Sequence, residues 1–275
     1  MTMGVLSAER GASRLSGSDP VDAFRLDDRL IVITGASEGI GCVFAENFAR
    51  AGARVVLASR RRDKLEAVRD RIRSAGGIAE SVVADVTCVA DIQRLAQVVR
   101  ELVDGTSLRL GLVNNAGVAF TKSALDVSES EWDALFDVHV KGTFFCTQQI
   151  GSLMLERRYG KILNLSSTWA IATEPGKAAY CAAKAAISQM TAALATEWAT
   201  SGVRVNALAP TTTMTDVTKQ RLSASPKRAE GLLSRIKLGR FAEPEDLVGA
   251  AIFLISSASD FMTGQTVFVD GGFTI

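Results

Sequence analysis

Residues 30–41 read LIVITGASEGIG, and the architecture of the whole chain follows from this segment. Its first four residues are apolar, which predicts a strand buried on both faces of a parallel sheet. The glycine-rich turn after it opens a helical pattern that runs from Val43 to Gly52. Such an arrangement aims bare backbone amides and the positive end of a helix at an anion. The spacing G-x-x-x-G-x-G therefore predicts a dinucleotide site, with a plain tight βα turn as the alternative.

Strand and helix patterns alternate along the rest of the chain. Further strands are predicted at 54–58, 78–84, 110–113, 161–165, 203–208 and 266–269, and helices around 65–72, 92–102, 132–158, 180–200 and 243–256. Repeated strand–helix units need right-handed crossovers, which place helices on both faces of a sheet. The predicted fold class is α/β, a single-domain Rossmann-type doubly wound parallel sheet with helices on both faces.

The composition is that of an ordinary globular chain, with 47% hydrophobic and 22% charged residues among 275. A single α/β domain over 24–275 fits this length. Residues 1–23 are rich in Ser, Gly and Ala without sustained periodicity, so we expect a flexible N-terminal extension. A transit peptide is the alternative for this segment, and Glu9 and Asp19 argue against it.

Several classes of protein are excluded by composition. A net charge of +1 leaves no electrostatic footprint for a nucleic acid or an anionic membrane surface. No apolar run reaches the length of a membrane span. The four cysteines show no C-x-x-C spacing, which indicates free thiols in a reducing compartment and predicts a cytoplasmic protein. The single histidine, His139, cannot form a multi-histidine centre, so no metal is expected.

Tyr180 and Lys184 lie four residues apart, so a helix would place the phenol and the ammonium on one face. A cation roughly 4 Å from the phenol, at an effective dielectric near 20, is worth about 4 kcal/mol. This corresponds to at most about three pKa units, enough to bring a phenol towards neutrality. We therefore predict a tyrosine that exchanges a proton with a substrate oxygen. A half-buried aromatic beside a snorkelling lysine is the alternative.

The second predicted strand ends in Ser59-Arg60-Arg61-Arg62. A carboxylate is usual near this position when the dinucleotide has a free ribose 2′-hydroxyl, and none is present. Three arginines at a helix start also oppose the helix dipole unless an anion lies nearby. A 2′-phosphate would supply that anion, so NADP is predicted, with NAD as the alternative. A solvated basic corner paired with Asp63 or Glu66 would also explain Arg61 and Arg62.

Seven short motifs, in this order and spacing, resemble the short-chain dehydrogenase/reductase family from about residue 26 to the C-terminus. They are TGASEGIG at 34–41, DV at 85–86, NNAG at 114–117, NLSS at 164–167, YCAAK at 180–184, NALAP at 206–210 and VDGG at 269–272. Each motif is weak alone, and their combination is highly specific. The resemblance implies an oxidoreductase that transfers a hydride between a nicotinamide and a secondary alcohol or ketone.

The resemblance also implies roles for individual residues. Tyr180 would be the general acid/base, Ser167 would hydrogen-bond the reacting oxygen, and Lys184 would hold the nicotinamide ribose. With the basic corner included, the expected cofactor contacts are Gly35, Ser37, Glu38, Gly39, Ile40, Gly41, Ser59, Arg60, Arg61, Asp85, Val86, Asn115, Ala116, Gly117, Tyr180, Lys184, Pro210, Thr213 and Thr215. Three alternatives stay open: a helix cap at Asp85, a sheet-bracing Asn114–Asn115 pair, and a plain strand-end hydroxyl at Ser167.

His139 stands where the family usually has an asparagine that supports a water in the proton relay to Lys184. Its backbone carbonyl could hold that water, its imidazole could replace it, or it could be a buried structural histidine. It is therefore a catalytic candidate, and a disabled relay would leave a non-catalytic dinucleotide-binding protein. Two further departures are Thr211, where glycine usually follows Pro210, and Glu38, at a position that is often basic in NADP-preferring members.

Residues 211–240 have no strong pattern and are predicted to be a mobile lid over a small-molecule substrate. Trp169 would cover an apolar or sugar face of that substrate, or belong to the core. Polyols, keto acids, cyclic ketones and β-ketoacyl thioesters all stay open as substrates. The 180–200 helix is apolar almost all round and the 132–158 helix is rich in Phe and Leu, which predicts a homotetramer or homodimer.

Overall fold

The computed structural model describes residues 20–275. Its strands are β1 (Arg29–Thr34), β2 (Arg54–Ser59), β3 (Ile78–Val83), β4 (Arg109–Asn114), β5 (Gly160–Leu165), β6 (Val203–Pro210) and β7 (Thr266–Val269). They form one parallel sheet in the order β3-β2-β1-β4-β5-β6-β7. The direction of winding reverses between β1 and β4, which opens a crevice at their carboxyl ends. The predicted doubly wound fold is confirmed.

Helices cover both faces of this sheet. They are α1 (Gly39–Arg50), α2 (Arg62–Ser74), α3 (Val89–Val103), α4 (Glu129–Phe136), α5 (Gly142–Glu156), α6 (Ala178–Trp198), α7 (Asp216–Ser223), α8 (Pro226–Leu233) and α9 (Val248–Ile255). Helices α1, α2 and α9 pack on one face, and α3, α5 and α6 on the other. A 3-10 helix, Pro20–Phe24, precedes β1 and includes the last residues of the predicted flexible extension. The rest of that extension lies outside the described residues.

β1 shows why a central strand reads as an unbroken apolar run. All six of its residues are buried. Ile33 packs into the layer that contains Phe44, whereas Val32 packs into the opposite layer with Leu95. Full burial of such a side chain stabilises the fold by about 1.5–3 kcal/mol. Both faces of the strand therefore require apolar residues, and the two-residue period of a half-exposed strand disappears.

Asparagines fasten the carboxyl edge of the sheet, where the crevice lies. Asn114 Nδ2 donates to Thr147 Oγ1 and to Asn164 Oδ1, both at 2.8 Å. Asn115 Nδ2 donates to the carbonyl oxygen of Thr34 at 2.9 Å. These bonds tie β4 to α5, β5 and β1 beside the glycine turn. The bracing role that the sequence left open for this pair is therefore present.

Two cations are fully buried at the opposite, amino edge of the sheet. Arg29 and Lys161 are each 0% exposed. Arg29 donates to Ser257 Oγ at 2.7 Å, while the Lys161 ammonium lies 2.9 Å from an Asp260 carboxylate oxygen and 3.0 Å from Ser259 Oγ. Burial lowers the pKa of Lys161 to about 8, and Asp260 acts to raise it. Charge thus holds the segment before β7 against β1 and β5.

Two elements differ from the sequence expectations. The predicted 132–158 helix extends from Glu129 to Glu156 and is interrupted by a π-helical turn, Asp137–Lys141, between α4 and α5. The 211–240 segment, for which no regular structure was predicted, contains α7 and α8. Both differences occur where the chain borders the crevice.

Three further observations concern membrane spans, cysteines and metal ligands in the described part of the chain. None of its helices is long and apolar enough to cross a bilayer. Cys42, Cys88, Cys146 and Cys181 are free thiols. Across residues 20–275, no three His, Cys, Asp or Glu side chains are grouped so that they would hold a metal ion.

Candidate active site

A cavity of about 990 Å³ extends along the carboxyl ends of the strands. It begins at the glycine turn, passes the ends of β2 and β3, and continues past the start of α6 to α7 and α8. Every residue expected to contact the cofactor lines this cavity, with the exception of Gly41. The catalytic candidates Ser167, Tyr180, Lys184 and His139 line it as well. The fold therefore brings the dispersed motifs into one site.

Close packing in the glycine turn explains the exception. A Cβ on Gly41 would lie 2.5 Å from the carbonyl oxygen of Gly35 and would also meet the Asn115 side chain. Gly35 has φ +65°, and a Cβ on it would lie 2.8 Å from the Cα of Ala116. Gly41 therefore lets α1 approach the turn closely and does not itself face the cavity. The contact of Gly41 with the cofactor stays a prediction, and the neighbours of Gly41 in the structure give it a packing role.

Two serines and two arginines meet where β2 ends. Ser59 Oγ donates to Ser37 Oγ at 2.9 Å, and Arg61 Nη2 donates to the same Ser37 oxygen at 3.2 Å. Arg60 Nη1 lies 3.7 Å from a carboxylate oxygen of Asp85. All of these side chains border the cavity. Hydroxyl and guanidinium donors in one corner form the donor set that phosphate oxygens require.

Glu38 adds a carboxylate to this corner. It accepts hydrogen bonds from Arg61 and Lys64, and chiefly the Arg61 bond holds the pKa of Glu38 below its usual value. Arg62 pairs instead with Glu66 at 3.3 Å, as the solvated-corner interpretation predicted for it. That interpretation fails for Arg61, whose carboxylate partner is part of the glycine turn.

Asp85 and Val86 follow β3 and line the cavity. Asp85 Oδ1 accepts from the backbone N–H of Thr87 at 2.9 Å and from its hydroxyl at 2.8 Å. The next helix begins later, with Cys88 at its N-cap. Asp85 therefore forms a local turn and does not cap α3.

Ser167, Tyr180 and Lys184 converge at the end of β5 and the first turns of α6. Lys184 Nζ donates to the carbonyl oxygen of Leu165 at 2.7 Å and lies 5.6 Å from the centroid of the Tyr180 ring. Ser167 Oγ accepts from the Trp169 backbone N–H at 3.2 Å and donates to the carbonyl oxygen of Pro210 at 3.4 Å. Trp169 packs in a cluster with α7 and α8 and also lines the cavity, so it belongs to both.

Burial outweighs charge in setting the pKa values of Tyr180 and Lys184. Burial raises the pKa of Tyr180 to about 12, although the Ser167 side chain acts in the opposite direction. Burial also lowers the pKa of Lys184 to about 7, so its amine carries only part of a full charge near neutral pH. The expectation that Lys184 brings the Tyr180 pKa towards neutrality is wrong here, because removal from water penalises the charged form of both groups. The Tyr180 phenol is a proton donor at neutral pH.

His139 lies beside the tyrosine and is only 2% exposed. Its ring stands edge-on to Tyr180, with the ring centroids 5.5 Å apart. Nε2 lies 2.6 Å from the Val118 carbonyl oxygen, and Nδ1 is buried without a partner in the described chain. Burial, followed by the nearby Lys184 charge, lowers the pKa of His139 to about 3. A neutral ring therefore fastens the loop after β4 and does not titrate near neutral pH.

Helices α7 and α8 cover the open side of the cavity. Pro210, Thr213 and Thr215 line it, as the sequence predicted. Thr215 caps α7 through its side-chain oxygen, which accepts from the Thr218 backbone N–H at 3.3 Å. Its methyl carbon lies 3.1 Å from where a Cβ would stand on Gly39. This segment therefore reaches the glycine turn.

Sequence reasoning missed three cations in the cavity wall: Lys177, Arg221 and Arg228. Lys177 was detectable, because it precedes Tyr180 by three residues and side chains at that spacing share a helix face. Arg221 and Arg228 belong to α7 and α8, which carried no helical signal.

The fold and the Ser–Tyr–Lys trio together define a Rossmann-type oxidoreductase. A family model described as enoyl-(acyl carrier protein) reductase matches residues 35–274. Gluconate 5-dehydrogenase of Gluconobacter oxydans is 37% identical over 257 residues, which cover 92% of this chain and 98% of that protein. NAD-dependent glycerol dehydrogenase of Listeria innocua is 35% identical over 252 residues, covering 92% and 96% respectively.

A solved structure is similar over nearly the whole chain. Gluconate 5-dehydrogenase from Burkholderia cenocepacia, crystallised with NADP and tartrate, has a TM-score of 0.88 and 35% identity and covers 93% of this chain and 99% of its own. The chain therefore belongs to the short-chain dehydrogenase/reductase family. It is an oxidoreductase that acts on an alcohol or carbonyl group.

Proposed function

We propose that this chain is an NADP(H)-dependent oxidoreductase that transfers a hydride between the nicotinamide and a secondary alcohol or ketone, with Tyr180 as the general acid/base. The observation that carries the proposal is the convergence of Ser167, Tyr180 and Lys184 in the same cavity as the glycine turn. The alternatives are an NAD-dependent enzyme of this family and, in another class, a non-catalytic dinucleotide-binding protein.

The corner at the end of β2 supports NADP. Ser37, Ser59, Arg60 and Arg61 border one region of the cavity and would hold a 2′-phosphate through hydroxyl and guanidinium donors. The Burkholderia structure was crystallised with NADP. NAD remains the alternative because Glu38 already engages Arg61, and because the Listeria relative is named as NAD-dependent.

The residues of the trio divide the proton chemistry between them. When bound, the nicotinamide supplies or accepts the hydride. In the direction of reduction, the neutral Tyr180 phenol donates its proton to the carbonyl oxygen, and the Ser167 hydroxyl hydrogen-bonds that oxygen as charge develops. Lys184, fixed by the Leu165 carbonyl, keeps an N–H donor beside the tyrosine ring. In the direction of oxidation, Tyr180 must first lose its own proton, and its phenolate then takes the proton of the alcohol.

His139 fits a positioning role in this scheme. Its ring contacts Tyr180 edge-on and holds the Val118 carbonyl, so it fixes the tyrosine relative to the loop after β4. Because the pKa of His139 is about 3, its ring is a neutral imidazole at neutral pH and does not act as an imidazolium acid. If His139 interrupts the proton relay to Lys184, the chain would bind a dinucleotide without catalysis, which is the alternative function.

Tyr180→Phe tests the catalytic assignment. We expect turnover to fall by roughly 10²–10⁴-fold, the usual contribution of a general acid, because the ring stays and only the proton donor is lost. NADPH binding, followed by nicotinamide fluorescence, should persist. Wild-type turnover in the variant would remove Tyr180 from the chemistry. A wild-type chain that binds NADPH but reduces nothing in a broad ketone panel would support the non-catalytic alternative.

Arg60→Ala and Arg61→Ala test the cofactor assignment. We expect each to reduce the preference for NADPH over NADH in binding by roughly 10-fold, the value of a lost charged hydrogen bond. Arg62→Ala is the matched control, because Arg62 lies on the same turn, pairs with Glu66 and does not border the cavity. An unchanged preference in either test variant would exclude that arginine from the phosphate site.

The proposal also includes assembly and location. Trp132 and Phe144 are 41% and 39% exposed on the α4–α5 segment, and Ala182, Ala185 and Ala193 are exposed on α6. An apolar outer surface on these helices supports a homodimer or homotetramer. The four free thiols support a cytoplasmic location.

A further inference from the structure

We propose that the substrate end of this cavity binds the carboxylate of a small hydroxy or keto acid, and that Lys177 is the principal partner of that carboxylate. The inference rests on the proposed function and specifies the substrate class of the same site. Of the substrate classes that the sequence left open, it favours acids over polyols, cyclic ketones and β-ketoacyl thioesters.

Lys177 is a buried cation with unused donors. Its side chain lies at the N-cap of α6 and the residue is only 7% exposed. Nζ donates to the Phe120 carbonyl oxygen at 3.0 Å and makes no other hydrogen bond within residues 20–275. An ammonium has three N–H donors, so two stay available to a ligand. Nζ also lies 5.4 Å from the centroid of the Tyr180 ring.

Two arginines reinforce this positive charge from the other side of the cavity. Arg221 on α7 donates to the carbonyl oxygen of Ala119, the neighbour of the residue that holds Lys177. Arg228 on α8 forms an ion pair with Glu174. Burial lowers the pKa of Lys177 to about 8, and the charges of Arg228 and Arg221 act in the same direction. Both arginines are therefore close enough to Lys177 to repel its positive charge, and a bound anion would relieve that repulsion.

The carboxylates nearby do not balance these cations. Glu174 faces the same cluster, and its partner is Arg228. Asp216 lines the cavity but is the first residue of α7, directly after Thr215 at the glycine turn. Among the described residues, the charges that act on Lys177 are those of Arg228, Arg221 and Glu174. One carboxylate therefore faces three cations when Lys177 itself is included. The substrate end keeps an excess of positive charge.

The position of Lys177 limits where the carboxylate lies in the substrate. Because Nζ lies 5.4 Å from the centroid of the Tyr180 ring, the carboxylate belongs only a few carbon–carbon bonds from the reacting carbon. Trp169, Leu222 and Leu232 line the remaining wall with apolar surface. A compact acid fits this enclosure, with its charge at Lys177 and its carbinol at Tyr180.

The test compares matched acid and neutral substrates in the wild type and in Lys177→Met. Gluconate is paired with sorbitol and tartrate with threitol, each oxidised with NADP⁺ and followed by nicotinamide absorbance. We expect the wild type to prefer the acid of at least one pair in kcat/KM, and Lys177→Met to reduce that acid-to-neutral ratio by roughly 10- to 100-fold. Lys219→Met is the control, because Lys219 is exposed on the same lid and does not line the cavity. Its ratio should match the wild type.

The outcomes separate this inference from the proposed function. Turnover of neutral substrates only, or an equal ratio in Lys177→Met and the wild type, overturns the carboxylate site and leaves the oxidoreductase assignment standing. Binding of the acids to the NADP⁺ complex, measured by calorimetry, gives a second readout that Lys177→Met should weaken. Failure to bind NADPH, or turnover in no member of a wider ketone and alcohol panel, overturns both.

Discussion

At the residue scale, the Tyr180–Lys184 pair shows how much a spacing can predict. The spacing correctly placed both side chains against each other, with the ammonium 5.6 Å from the ring. It did not predict their proton affinities, because those depend on how much water the rest of the fold removes. The burial of Tyr180 and Lys184 depends on residues distant from them in sequence, such as Leu165. A local sequence pattern therefore does not predict it.

The contact between Gly117 and His139 carries a prediction of its own. A Cβ on Gly117 would lie 2.7 Å from Cε1 of His139, and the ring cannot withdraw because it is buried and held by Val118. Gly117→Ala should therefore destabilise the fold by about 1–3 kcal/mol, the usual cost of overpacking. Urea unfolding measures this change.

Two further variants make that prediction specific. Gly249→Ala is the control, because nothing lies within 4 Å of a Cβ there and the residue is helical, so a gain of about 0.5–1 kcal/mol is expected. His139→Asn shortens the opposing side chain and should relieve most of the cost of Gly117→Ala. An additive double variant would mean that the clash is not with this ring.

At the element scale, the helix that carries His139 was predicted in outline only. Its apolar residues indicated one long helix, which is present with a π-helical interruption. The π-helical turn, Asp137–Lys141, was not predictable, because an i→i+5 turn shifts the register of side chains without a residue-type signature. This turn carries His139, which lines the cavity, so the least predictable part of the helix is the part that borders the site.

The lid helices were missed for a different physical reason. α7 reads DVTKQRLS and buries only Leu222, and α8 buries only Leu232. A single buried residue gives no periodicity to detect. These helices are held by side-chain contacts across the cavity, such as Arg228 with Glu174, which are tertiary interactions.

At the scale of the whole molecule, the strand pattern was sufficient for the sheet. Every predicted strand is present, and their parallel arrangement followed from the helices between them. The buried cations at the amino edge were not anticipated. Arg29 is the first residue of β1 and Lys161 is the second residue of β5, and their partners come from a segment about a hundred or more residues later.

Lys161 links the stability of the molecule to pH. Its pKa is about 8 in the fold and 10.5 in the unfolded chain, so the unfolded chain binds more protons between these values. The free energy of unfolding should therefore rise with pH in this window, with a contribution from Lys161 of about 1 kcal/mol per pH unit between pH 8 and 9. Lys177 and Lys184 act in the same direction, whereas Cys42 and Cys146 oppose them above about pH 9.

Lys161→Met isolates that contribution. Urea unfolding of the wild type and the variant between pH 7.5 and 9 should show a shallower pH slope in Lys161→Met. Identical slopes would show that Lys161 has the same charge in the folded and the unfolded chain over this pH range.

The segment from Pro210 to Leu233 spans both ends of the crevice. It touches the glycine turn through Thr215, and its α7 and α8 residues close over the tyrosine. A small acid bound beneath these helices would be enclosed by the same segment that contacts the glycine turn. We therefore expect the dinucleotide to bind before the acid and to leave after it.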